Sequence, residues 1–138
     1  MISPPASPSP ILTPRAAAAA ARASRSDRSG RLKRFLFVCS QNRLRSPTAE
    51  QIFAGRPGVD VASAGTNNDA ENPLTDELVR WADTIVVMEA MHRGKLRQRF
   101  REAIDGKRII CLDIPDRYRF MDPTLIDLLE ARMARHLP

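Results

Sequence analysis

The sequence predicts an α/β fold: a single-domain, three-layer α/β/α arrangement around a four-stranded parallel sheet, preceded by a disordered N-terminal tail. Three observations carry this prediction. Short apolar runs recur along residues 33–138, each separated from the next by a segment of helical texture. The runs are continuous rather than alternating, as in strands covered on both faces. Strand and helix alternate throughout, which implies βαβ units and a parallel sheet.

The elements follow in order. "FLFVC", ending at Cys39, reads as a buried strand. Ser46 and Pro47 suit an N-cap and a first helical position, opening a helix to about Ala54 that "GRPG" stops. "VDVASAG", 59–65, is a second strand and "NNDAENPL" a loop. Thr75 caps a helix with Asp76 and Glu77 in its first turn. "TIVVM", 84–88, is the third strand, followed by a basic helix over 90–104 that Gly106 ends. "RIICLDI", 108–114, is the fourth strand, and "PDRYRF" a loop. Asp122 and Pro123 start a last helix whose apolar positions, Leu125 to Leu137, lie mostly on one face.

Residues 1–32 form a separate region. They hold five prolines before position 15, six consecutive alanines, then an Arg/Ser stretch. Such a segment buries too little apolar surface to offset its ordering entropy and is expected to be disordered. Its acid-poor composition also fits an organelle transit peptide, but the dense prolines fit an amphipathic targeting helix poorly, and an unstructured extension is the preferred reading. No secretory h-region is present.

The formal charge is +6, of which +4 lies in residues 1–32, so residues 33–138 are nearly balanced and nucleic acid is not an expected partner. No apolar run reaches the roughly 18 residues of a membrane span; a cytoplasmic protein is expected. Two distant cysteines, Cys39 and Cys111, exclude a disulfide framework or a zinc module. No metal or cofactor is expected. Cys111 reads as core, with a resolving thiol as the alternative. His92 and His136 read as solvent-facing, Trp81 as packing, and the Arg-rich stretch 93–101 as a solvated face.

The chemistry concentrates in "CSQNRLRS", 39–46. A strand-to-helix loop can turn its backbone N–H groups inward as an anion nest, reinforced by the helix N-terminus. A cysteine at the mouth of that nest is stabilised as thiolate, a strong nucleophile. Arg45 offers a planar fork for two phosphate oxygens. Ser46 can donate to the thiolate and Asn42 can hold the loop open. Cleaving a phosphate ester also needs a proton for the leaving oxygen, and Asp116 is best placed to give it. Tyr118 is a candidate pocket wall.

Cys39, Arg45, Ser46 and Pro47, with Ala49-Glu50 following, resemble the low-molecular-weight protein tyrosine phosphatases. "SAGT" at 63–66, "ADTIVVMEAMH" at 82–92 and "IPDRY" at 114–118 look like further segments of that family, in its short bacterial branch. The resemblance implies a cysteine-dependent phosphomonoester hydrolase, a protein tyrosine phosphatase acting through a phosphocysteine intermediate. It assigns Cys39 as nucleophile, Arg45 as phosphate grip and Asp116 as acid. Ser40, Gln41, Asn42, Arg43, Leu44, Ser46 and Tyr118 become the substrate-binding set. It implies that Asn42 supports the loop and that Ser63 bonds to Asn42. The partners implied are a phosphorylated protein or a small phosphate ester, and the chain a monomer or weak dimer.

The sequence also departs from the family pattern. Gln41 stands where glycine is common, Leu44 where many members carry a second cysteine, and Arg117 where the acid loop has proline. Arg43 and Arg117 at the mouth suit an acidic peptide or a multiply charged ester. Two other readings stay open: an arsenate reductase of the same fold, and a non-catalytic module that holds phosphate or a phosphoprotein.

Overall fold

A computed structural model describes residues 32–138. The expected disordered extension therefore lies outside the described residues, except for Leu32. Four parallel strands form one sheet: β1 (Lys33–Cys39), β2 (Val59–Gly65), β3 (Thr84–Val87) and β4 (Arg108–Cys111), in the order β2-β1-β3-β4. Four helices alternate with them: α1 (Arg45–Phe53), α2 (Asp76–Trp81), α3 (Ala90–Arg99) and α4 (Pro123–Met133). None is long and apolar enough to cross a membrane.

The pleat sorts the core into two. Leu36, Val38, Ile85 and Val87 face one side and pack with Leu78, Val79 and Trp81 of α2 and Leu96 of α3. Phe35, Phe37, Cys39, Val86 and Met88 face the other, against Ala49 and Phe53 of α1 and Leu125, Leu129 and Met133 of α4. The period of two along β1 produces the three layers. Trp81 is buried in packing, as expected.

The chain leaves β1 to form β2 on one side, then crosses back to β3 on the other. The carboxyl ends of β1 and β3 thus border a crevice at a switch in strand order, where open α/β sheets bind ligands. Cys39 ends β1, and Met88-Glu89 follow β3.

Several expected boundaries differ, β3 stopping at Val87 rather than at Met88. β4 stops at Cys111 rather than at residue 114, because Asp113 takes φ 57° and breaks the pleat. The ladder nevertheless continues, with Leu112 N–H on the Val87 carbonyl at 3.0 Å and Ile114 N–H on the Met88 carbonyl at 2.8 Å. α3 ends at Arg99, where Phe100 turns to φ −128° and its ring packs on the core. α4 ends at Met133, and Leu137 reaches the core after a turn.

Candidate active site

Cys39 is the last residue of β1, in register with Gly65 of β2. Beyond it the loop is tied along one side. The Cys39, Ser40 and Gln41 carbonyls accept N–H groups of Thr66 (2.9 Å), Asn67 (3.0 Å) and Glu71 (2.9 Å). A trans peptide holds C=O and the following N–H antiparallel, so the amides of Ser40, Gln41 and Asn42 point away from the 66–71 segment. Among the described residues, no protein acceptor takes the amides of residues 40–44. These free donors are the material of an anion nest. Asn42 takes φ 57°, a left-handed conformation that Asn tolerates better than most residues.

The 66–71 segment is itself braced. Lys95 Nζ reaches Asn67 Oδ1 at 3.3 Å, and Arg99 Nη1 reaches the Thr66 carbonyl at 2.5 Å. Part of the basic face of α3 therefore supports the loop, instead of only meeting solvent as expected.

Gly65 is required by close approach. A Cβ there would sit 2.5 Å from the Ser40 oxygen and 2.5 Å from the Ala70 Cβ. We expect Gly65→Ala to displace the loop and to destabilise the fold by about 1–3 kcal/mol. Urea unfolding checks this, and wild-type stability in the variant would refute it.

Ser46 does not cap the helix. Leu44 occupies the N-cap and makes no side-chain cap bond, and α1 begins at Arg45. The buried Ser46 hydroxyl lies 2.9 Å from Cys39 Sγ and accepts from Asn42 Nδ2 at 2.9 Å. With Asn42 donating to it, the hydroxyl can direct its own proton to a thiolate.

Arg45 is buried, with only 2% of its side chain exposed. Nη1 donates to Glu89 Oε1 and to the Ile114 carbonyl, both at 2.7 Å. Among the described residues nothing accepts from Nε or Nη2, so that edge of the fork is open. Asp116 Oδ1 lies 3.8 Å from Nε. Cys39, Gln41, Arg43, Leu44, Arg45 and Asp116 together line a cavity of about 180 Å³. Gln41 Oε1 is buried there without a protein donor.

The other candidates fall as follows. Ser40 lies in the loop with its hydroxyl 2.9 Å from His92 Nε2. Arg43 is largely exposed, 3.9 Å from Glu71. Tyr118 is not part of the cavity lining and packs against the α1–α4 core. Ser63 does not bond to Asn42: its hydroxyl donates to the buried Glu50 Oε1 at 2.5 Å, because Ser46 already takes the asparagine amide.

His92 is fully buried, not solvent-facing. Glu89, Glu50 and His92 are site neighbours that the sequence reading missed. The signal for two of them was Glu89-Ala-Met-His92 directly after a buried strand, where Glu89 and His92 form a reciprocal capping box.

Cys39 and Cys111 lie on opposite faces of the sheet, on strands two positions apart. Two strand spacings are about 10 Å, beyond the roughly 7 Å that a disulfide spans. Cys111 is therefore no resolving partner for Cys39 in this arrangement. Burial raises its thiol pKa.

A parallel α/β sheet whose first strand ends on a cysteine, with an arginine opening the next helix around free loop amides, forms a loop that can hold an oxyanion beside a sulfur nucleophile. The comparisons agree. A protein-arginine-phosphatase from Geobacillus stearothermophilus is 30% identical over 96 residues, covering 52% of this chain and 65% of that protein, just under two thirds of its length. The solved structure of the YwlE arginine phosphatase from the same organism superposes with TM-score 0.63 at 26% identity, covering 75% of this chain and 90% of that one. Vibrio vulnificus Wzb, in complex with benzylphosphonate, gives TM-score 0.62 at 25% identity, covering 76% and 97%. No protein-family model matches the sequence. The chain is thus similar in fold to these bacterial phosphatases, in line with its sequence resemblance to the low-molecular-weight protein tyrosine phosphatases.

Proposed function

We propose that the protein is a cysteine-dependent phosphomonoester hydrolase, with phosphotyrosine as the first substrate class. The observation that carries this is the convergence of Cys39, the open edge of Arg45 and Asp116 on one small cavity. Phosphate oxygens sit against the loop amides and the Arg45 fork. The Cys39 thiolate attacks phosphorus in line, and the P–O bond breaks. Asp116 gives its proton to the leaving oxygen. The phosphocysteine is then hydrolysed: Asp116, now a base, takes a proton from water, the water oxygen bonds to phosphorus, and the S–P pair returns to sulfur. Ser46 stabilises that returning thiolate.

Phosphoarginine is the second reading, favoured by the likeness to the arginine phosphatases. Against it stands Arg43, which lines the cavity mouth and would oppose a cationic guanidinium leaving group. A phenol meets no such repulsion. We expect kcat/KM for a phosphotyrosine peptide to exceed that for the matched phosphoarginine peptide, with Arg43→Thr narrowing the gap. Parallel phosphate-release assays decide it. The reverse order would assign the protein to phosphoarginine.

A further inference from the structure

We infer that His92 is a positioning residue that braces the two ends of the phosphate loop against each other, holding Ser40 directly and Arg45 through Glu89. The inference rests on the phosphatase reading for its kinetic arm only.

The bonds run as a continuous path. Ser40, which follows the nucleophile, has its hydroxyl 2.9 Å from His92 Nε2. His92 Nδ1 lies 3.0 Å from the Glu89 amide nitrogen. The Glu89 carboxylate accepts from the His92 amide, and its Oε1 takes Arg45 Nη1 at 2.7 Å. Ser40 and Arg45 bracket the loop, so one imidazole on α3 joins its beginning to its end.

The geometry also fixes the tautomer. A backbone N–H can only donate, so Nδ1 must present a lone pair to Glu89. A neutral ring then carries its proton on Nε2 and donates it to the Ser40 oxygen. Burial, with the nearby Arg45 guanidinium, lowers the His92 pKa to about 4, in keeping with a neutral ring at pH 7. Protonation would turn Nδ1 into a donor facing a donor and break the brace. Glu89 and Asp116 act in the opposite sense and Lys95 in the same sense as Arg45.

The test uses the full chain and four variants: His92→Ala, His92→Gln, Ser40→Ala and the His92→Ala/Ser40→Ala double. The readouts are para-nitrophenyl phosphate turnover, inorganic phosphate binding by calorimetry, and thermal unfolding. Misplacing a loop by a fraction of an ångström is expected to cost on the order of 10- to 100-fold in kcat/KM. His92→Ala should show this loss, and weaker phosphate binding, at temperatures where it remains folded. His92→Gln, whose amide nitrogen can reach the Nε2 position, should recover most of it. The double variant should be no worse than His92→Ala, since both remove one path.

A folded His92→Ala with wild-type phosphate affinity and turnover would overturn the inference, as would losses that multiply in the double variant. If His92→Ala does not fold, nitrogen NMR of the wild-type ring decides. A proton on Nε2 at pH 7 supports the brace, and one on Nδ1 refutes it. Should the wild type bind phosphate but hydrolyse nothing, the phosphatase reading fails, while the binding and NMR arms still judge His92.

Discussion

Cys39→Ser is expected to abolish hydrolysis of para-nitrophenyl phosphate, by about four orders of magnitude or more. The substitution is nearly isosteric. A serine oxygen can keep the contact with Ser46, which lies 2.9 Å from the native sulfur. The surrounding core of Phe37, Val86 and Met88 on that face is untouched. What changes is the nucleophile: a hydroxyl stays protonated where a thiol can ionise, and its side-chain hydrogen-bond partner among the described residues is Ser46, itself no general base. Phosphate binding should therefore persist while turnover vanishes. Turnover in EDTA and reductant, paired with calorimetric phosphate binding, separates the two. Substantial hydrolysis in the folded variant would remove the phosphocysteine step.

Asp116→Asn should cost roughly 10²- to 10⁴-fold, and the size should depend on the leaving group. Asp116 sits on an exposed loop, with 62% of its side chain accessible, yet its Oδ1 lies 3.8 Å from the buried Arg45 Nε. It can reach the ester oxygen while remaining in contact with water. An amide cannot supply the proton, so the departing oxygen must leave as an anion. Nitrophenolate tolerates that, whereas an unsubstituted phenolate or an alkoxide does not. Across a series of aryl phosphates, the variant should show a steep dependence of rate on leaving-group acidity and the wild type a shallow one. Equal slopes would assign the proton to another group. The loop carrying Asp116 is anchored by the Met121 N–H on Thr48 Oγ1 at 2.9 Å, which ties it to α1.

Much of this was legible in the sequence because the strands are short, apolar and unbroken. Phe35–Val38 and Thr84–Val87 are buried runs that only a sheet covered on both faces explains. Cys39, Arg45 and Asp116, the residues proposed for phosphate transfer, line one cavity, a convergence that their types and order along the chain led us to expect. What stayed hidden depends on three-dimensional competition for partners. Ser46 before proline looks like a cap; its contact with the sulfur was expected, but not that the helix starts at Arg45 with Leu44 in the cap position. Ser63 is drawn to Glu50 because Asn42 is already engaged. His92 lies in a basic stretch that reads as solvated, and its burial follows from the reciprocal cap with Glu89. Asp113 breaks β4 through a backbone angle that an apolar pattern does not encode.

The three carbonyls of Cys39, Ser40 and Gln41, secured by Thr66, Asn67 and Glu71, bear on how the anion arrives. A loop fastened along its outer edge has already lost its freedom during folding, so little further entropy is surrendered at capture. Encounter with phosphate should then resemble docking into a set mould, with a single kinetic phase whose rate rises linearly with concentration. The same fastening makes residues 66–71 a remote handle. Loosening them would soften the mould without touching any group that meets the substrate.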